Sequence, residues 1–313
     1  MNTKIYSDAS ILNIRSHFDS VEQKYITYPK FVFLCGKGFN PNNKEEYKTS
    51  NRGIISEYIK KLLPDSYIVL SEQMWDEHYN ENIDLLLFEE FLAEVSDAII
   101  LFTESPGSFC ELGAFAYADN LFSDKLIVVL DEKYRDSKSF ISTGPVLKAK
   151  SDGSKVIYAP LDNGALLSSA ELRNEILELV NRIQSKKSKI NKRTINRDKN
   201  YVQISSFIIE ILELLRIVQP INSNDLLQLY KTVKQFDRFN LVKRDGSNFK
   251  REIKFNYILK LLKMAGIIEV ENSVIRFPHY EKTQHLMLKY YGNAIECERN
   301  RIICKKYRYR EQI

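Results

Sequence analysis

Ala98-Ile99-Ile100-Leu101-Phe102-Thr103-Glu104-Ser105-Pro106-Gly107-Ser108-Phe109-Cys110-Glu111-Leu112-Gly113-Ala114-Phe115 is the stretch that decides the fold. The apolar run Ala98 to Phe102 reads as a strand buried on both faces, the pattern of a parallel sheet. A Pro-Gly-Ser turn follows, and a helix opened by Ser108 carries Glu111 in its first turn. A carboxylate at that place has two readings. In open α/β sheets ligands bind beyond the carboxyl ends of the strands, which makes Glu111 a candidate reactive group. Equally, the helix dipole favours an acid near a helix start.

The same alternation extends to both sides. Phe31 to Leu34 reads as a buried strand ending in Cys35-Gly36-Lys37-Gly38, after an amphipathic helix from about Ser10 to Tyr25. Helices near Tyr47 to Leu63 and Ile83 to Val95 precede the strands Tyr67 to Leu70 and Ala98 to Phe102. Leu126 to Leu130 and Val156 to Tyr158 complete five strands, and a helix spans Ser168 to Ile183. Strands alternating with helices predict a doubly wound five-stranded parallel sheet with helices on both faces.

At 313 residues the chain has room for about two domains. Its charge is unevenly divided: the Lys, Arg, Asp and Glu of residues 1–180 sum to −10 and those of 181–313 to +15. An acidic front half for a small molecule and a basic back half for an anionic partner fit that division, although basic helices are also ordinary solvated faces. Residues 186–200 read as a basic linker. Beyond it come helices at Tyr201 to Ile217, from Asn222 or Asn224, and at Asn248 to Ala265. Two short β segments, Ile267 to Val270 and Val274 to Phe277, follow, the layout of a winged helix-turn-helix over 201–278. A basic helical tail is expected over 279–313. The divisions are thus 1–30, 31–185, 186–200, 201–278 and 279–313.

Several chemistries find little support in the residues. Cys35, Cys110, Cys297 and Cys304 lack the paired spacing of a zinc site or disulfide framework, and such thiols suit a reducing cytoplasm. His17, His78, His279 and His285 form no i, i+4 pair, so no metal site is expected. The Gly36-Lys37-Gly38 turn is neither a dinucleotide fingerprint nor a phosphate-binding loop, and no Gly-x-Ser-x-Gly elbow surrounds Ser105 or Ser108. No apolar run is long enough to span a bilayer, and no leader is evident. A lone carboxylate at a sheet edge remains, suited to glycosidic-bond chemistry without metal or cofactor. Asp84, Asp97, Ser105, Gly107 and Ser108 are the small and polar positions expected near the same edge, with Asp97 also readable as a strand-initiating cap.

Val95 to Phe102, Glu104 to Ser108 and Glu111-Leu112-Gly113-Ala114-Phe115 together resemble nucleoside 2-deoxyribosyltransferase-like proteins, and in particular the effectors of bacterial retron anti-phage systems, which add a C-terminal winged helix. The resemblance implies that Glu111 is the nucleophile on an anomeric carbon and that Cys35, Gly36 and Lys37 line the pocket. Classical deoxyribosyltransferases have an Asp six residues before that Glu; Ser105 stands there, which turns expectation away from ordinary deoxynucleosides. The resemblance implies a toxin cleaving an N-glycosidic bond, with NAD⁺ as substrate rather than cofactor, in a homo-oligomer or larger assembly. It also implies two partners, a retron reverse transcriptase and its multicopy DNA-RNA hybrid. Lys186, Lys187, Lys189, Lys192 and Arg193, with Lys250, Arg251 and Lys254 on the presumed recognition helix, are the candidate phosphate contacts; a protein-facing winged helix is the other reading. A true deoxyribosyltransferase and a nucleotide-sensing DNA-binding regulator are the alternatives.

Overall fold

The computed structural model describes residues 6–20, 25–26, 29–40, 43–70, 85–117, 124–162, 164–185, 188–189, 201–243, 246–249, 251–278, 298–299 and 301–302. In chain order the elements begin with α1 (Asp8–Ser20), β1 (Tyr25–Ile26), β2 (Lys30–Cys35), α2 (Lys44–Thr49), α3 (Asn51–Leu62), β3 (Ser66–Val69), α4 (Leu85–Val95) and β4 (Ala98–Phe102). Next come α5 (Pro106–Ala116), β5 (Leu126–Asp131), α6 (Leu147–Ser151), β6 (Lys155–Ala159) and α7 (Ala170–Ser185). The remainder comprises β7 (Ser188–Lys189), β8 (Tyr201–Gln203), α8 (Ile204–Val218), β9 (Ile221–Asn222), α9 (Ser223–Lys234), β10 (Asn240–Val242), α10 (Phe255–Met264), β11 (Glu269–Glu271) and β12 (Val274–Arg276). The chain divides into two compact units, Pro29–Lys186 and the two flanks Met1–Tyr28 with Lys187–Ile313.

The first unit is an α/β layer structure around one parallel five-stranded sheet in the order β3-β2-β4-β5-β6. All of β4 and β5 is buried, as continuous apolar strands covered on both faces must be. Alternate residues separate the two faces. Val32, Leu34, Ile100, Phe102, Ile127 and Val129 pack with Ile55 and Ile59 of α3 and Leu172, Ile176 and Leu179 of α7. Phe33 points the other way and meets Phe115 of α5 edge-on, with centroids 6.4 Å apart. At the amino end of the sheet the Lys125 ammonium, buried, donates to the Glu94 and Ser96 carbonyls at 3.1 Å and so serves the unpaired end of α4.

The expected single helix over 47–63 is two helices. Ser50 ends one and starts the next: its N–H donates to Glu46 and Tyr47 carbonyls, and its Oγ accepts from Gly53 N–H at 3.0 Å. Gly53 allows this corner, since a Cβ there would lie 1.8 Å from the Tyr47 carbonyl oxygen. At the amino terminus α1 stops at Ser20 and Tyr25 belongs to β1, which pairs antiparallel with β7 inside the segment expected as a linker.

In the second unit α8 is buried from Phe207 to Val218, its charges internally partnered: Glu210 accepts from the Tyr230 hydroxyl and the Lys234 ammonium, each at 2.6 Å, and Glu213 pairs with Arg216 at 2.5 Å. Arg15 of α1 donates to the Thr232 and Val233 carbonyls in the last turn of α9, where helix carbonyls run short of intrahelical donors. The strands β11, β12 and β9 form an antiparallel sheet. Two sequence readings are corrected here. Residues 201–203 are not helical, because Tyr201, Val202 and Gln203 pair in parallel with β10. The helix expected from Asn248 begins only at Phe255: Lys243 N–H donates to the Ser247 carbonyl and Asn248 bridges antiparallel to Val242, a pairing that keeps Asn248 out of a helix. Of the tail 279–313 only 298–299 and 301–302 are described, and they are helical.

Candidate active site at the switch point of the sheet

In the order β3-β2-β4-β5-β6 the chain winds outward from β2 in one direction and from β4 in the other. The crevice beyond their carboxyl ends is therefore the topological switch point, where open α/β sheets take ligands. The exits are Cys35-Gly36-Lys37 from β2 and Thr103-Glu104-Ser105 from β4. A cleft of about 620 Å³ opens there, lined by Lys37, Gly38, Phe39, Glu46, Lys48 and Thr49, and by Ser50, Asn51, Ile54, Glu104, Leu161 and Gly164.

Glu104 holds this crevice together. Its Oε1 accepts the Lys37 N–H at 3.1 Å, and its Oε2 accepts the Asn51 amide at 2.7 Å. Asn51, buried at the head of α3, donates also to the Leu161 carbonyl at 2.8 Å, so β2, β4, α3 and the loop after β6 meet on one carboxylate. Gly36 makes room for it: a Cβ there would lie 2.9 Å from Glu104 Oε1 and 3.3 Å from Phe102 Cβ. Arg52 is 1 % exposed; its guanidinium donates to the Lys37 carbonyl and lies 4.8 Å from the Phe39 ring centre. Phe39 in turn packs on Tyr47 at 5.0 Å, and burial raises the Tyr47 hydroxyl pKa above its ordinary value, keeping it neutral.

The turn into α5 corrects the sequence reading of the helix start. Ser105, not Ser108, is the N-cap, Pro106 is the first helical residue, and Glu111 falls in the second turn, about 7.5 Å of axial rise beyond Pro106. Ser105 Oγ accepts from Ser108 N–H at 3.2 Å, while Ser108 Oγ accepts from the N–H groups of Glu104 and Ser105 at 3.0 and 2.9 Å. Ser108 is fully buried, and its own hydroxyl donates to the Ser105 carbonyl at 2.8 Å. Both serines are thereby committed to a reciprocal cap. Gly107 is exposed in the first turn. Glu111 is half-buried with its Oε2 shielded from solvent.

Cys35, Gly36 and Lys37 lie at the exit of β2, Cys35 buried and Lys37 exposed; of the three, Lys37 lines the cleft. Ser105, Gly107, Ser108 and Glu111 are gathered on the exit of β4 but do not line it, because α5 covers the sheet face opposite to α3. Asp97 is a correction. It sits at the amino end of β4, exchanging N–H contacts with Phe31 at 2.8 and 3.3 Å, a full strand length from the crevice. Asp84 lies outside the described residues. Sequence reasoning missed Glu104 and Asn51 as site residues; the one signal available was an acid immediately past the end of the central strand. Among the described residues no group of three or more His, Cys, Asp or Glu could hold a metal ion, and no helix is long and apolar enough to cross a membrane.

The nucleic-acid candidates are largely out of view. Lys186, Lys187, Lys192, Arg193 and Lys250 lie outside the described residues, and Lys189 is described only as part of β7. Arg251 and Lys254 are exposed but not within a recognition helix as expected; Lys254 is the residue that precedes α10.

Comparison with known proteins places the chain in a family. The profile described as STM3845 retron effector protein matches residues 48–270, from α2 through β11. An Escherichia coli relative named "Retron Ec86 putative ribosyltransferase/DNA-binding protein" is 33 % identical over 214 residues, 66 % of this chain and 66 % of the relative. The correspondingly named retron Ec73 protein, also from Escherichia coli, is 29 % identical over 213 residues, 64 % of this chain and 65 % of that one. The matches thus span just under two thirds of each relative's length. With well over half of its length in the matched region, which takes in parts of both units, the chain belongs to the STM3845 retron effector family.

Proposed function

We propose that this retron effector acts against phage by cleaving the N-glycosidic bond of NAD⁺ or a related nucleotide in its α/β unit, which we read as nucleoside deoxyribosyltransferase-like. The observation that carries the reading is the strand-turn-helix at the switch point, where β4 leads through the Ser105 cap to the half-buried Glu111. The ribosyltransferase name of the two relatives agrees with it. A Glu111 oxygen attacks C1′ of the ribose as the bond to the base nitrogen breaks; the electron pair of that bond leaves with nicotinamide, neutralising its ring nitrogen. Water then adds at C1′ and gives up one proton to solvent, the ribosyl ester opens, and Glu111 is returned as carboxylate. Neither a metal nor a cofactor enters these steps.

The second unit, with α9 and α10 followed by the β11–β12 hairpin, we read as a winged helix that faces the multicopy DNA-RNA hybrid and its reverse transcriptase, which restrain the toxin in an oligomeric cytoplasmic assembly. The relatives' DNA-binding name and the basic balance of residues 181–313 support this.

Glu111→Gln keeps volume and removes the nucleophile. Cells expressing it without the other retron components should retain NAD⁺, whereas the unaltered chain should deplete it with release of nicotinamide, and the purified variant should lose at least about a thousandfold in turnover at unchanged melting temperature. Normal NAD⁺ consumption by the variant would sink the assignment. Product formation that required an added acceptor base would make the protein a transferase.

A further inference from the structure

We propose that the cleft beside Glu104 is a ribonucleotide subsite in which Glu104 selects ribose over 2-deoxyribose by accepting its hydroxyls. This deepens the glycosidic reading: Glu111 would work on one ribose from the α5 side of β4 while the cleft on the α3 side holds the adenylate half of the same dinucleotide.

The chemistry of the lining carries the proposal. A carboxylate has about four acceptor sites, and among the described residues those of Glu104 receive one hydrogen bond on each oxygen, from Lys37 N–H and Asn51. Both contacts fix the carboxylate in the cleft wall and leave acceptor capacity on both oxygens, the arrangement that a vicinal diol fits. In dinucleotide-binding doubly wound sheets an acid near the crevice takes a ribose hydroxyl in this way, and Glu104 offers the same acceptor without their glycine fingerprint. The flanking groups match the rest of a nucleotide. Phe39, Ile54 and Leu161 give apolar walls for a base, and the exposed Lys37 stands at the mouth for a phosphate. The lining is braced by the fold itself, because Arg52 stacks on Phe39 and holds the Lys37 carbonyl while Asn51 ties Glu104 to the Leu161 loop. Binding at this remote half would supply the orientation that attack by Glu111 needs.

The test is equilibrium binding, which requires no turnover. The full chain carrying Glu111→Gln is titrated calorimetrically with AMP and with 2′-deoxy-AMP. AMP should bind about ten- to a hundredfold more tightly, the loss expected for one hydrogen bond to a charged acceptor. Glu104→Gln should erase the difference. Because Glu104 also braces the fold, Thr49→Trp provides a second arm: Thr49 is exposed on the rim, and an indole there fills the cleft without altering Glu104. It should abolish AMP binding at an unchanged melting temperature. Equal affinity for the two nucleotides, no binding of AMP at millimolar concentration, or full binding in Thr49→Trp would each overturn the subsite. NAD⁺ turnover without AMP binding would overturn the subsite alone; AMP binding with no NAD⁺ turnover in the unaltered chain would overturn only the cleavage reading.

Discussion

Ser108 fixes the geometry that Glu111 depends on. Its Oγ takes the N–H groups of Glu104 and Ser105 and its hydroxyl closes onto the Ser105 carbonyl, with Ser108 itself fully buried. Ser108→Ala leaves two N–H donors without that acceptor in a partly buried turn. We expect a loss of about 1–3 kcal/mol, read as a fall of about 2–12 °C in the melting temperature of the α/β unit. NAD⁺ turnover should fall with it, because the helix carrying Glu111 loses its fixed start. A variant that melts and turns over like the unaltered chain would show the turn to be held by other contacts. The contrast with Glu111→Gln separates the two roles: one change should cost stability and activity together, the other activity alone. Asp97 shows how a residue can mislead from sequence. It precedes the same strand that Glu104 follows, yet parallel strands place starts and exits at opposite edges, and only the exit edge bears the crevice.

The hairpin β11–β12 turns through Asn272 and Ser273, with φ of 48° and 65°. Two successive positive φ values define a primed turn, which asparagine tolerates and serine does not favour. Ser273→Gly should therefore stabilise the second unit by about 1 kcal/mol, and a rise of about 2–4 °C in its thermal midpoint would register it; an unchanged or lower midpoint would contradict the turn assignment. This hairpin was legible beforehand because Glu271-Asn272-Ser273 punctuates two apolar segments. The central strands were legible for a related reason: burial on both faces leaves runs such as Ala98 to Phe102 with no other reading. Helix boundaries were less so. Ser50 ends α2 and begins α3 within one continuous amphipathic pattern, and only the close approach of Gly53 to Tyr47 reveals the corner. The pairing of β8 with β10 was hidden altogether, since two three-residue strands 37 residues apart leave no periodic mark. Glu104 escaped notice on the same grounds: its partners Asn51 and Lys37 lie 53 and 67 positions away, and nothing in the local turn names them.

At the scale of the whole chain, the division of charge matches the division into units. Residues 1–180, which include most of the α/β unit, are net acidic, and residues 181–313, which include most of the second unit, sum to +15. A net-acidic α/β unit repels a polyanion, so nucleic acid should engage the basic part, and it should do so through phosphates rather than base edges. Binding of the full chain to a DNA-RNA hybrid should then weaken steeply with salt and change little with sequence. On a plot of log affinity against log salt concentration, each phosphate contact contributes a slope of about −0.7 to −0.9. Replacing Lys186, Lys187, Lys192 and Arg193 together by Glu should make that slope shallower by about 3 if all four meet phosphates, while NAD⁺ turnover of the free chain stays unchanged. A slope that survives the replacement intact would move the contact surface elsewhere, to Arg251, Lys254 or the tail beyond residue 279. Sequence-specific duplex binding that persists at high salt would instead favour a regulator that reads bases, because base-edge hydrogen bonds, unlike phosphate contacts, release no counterions and are not weakened in the same way by salt.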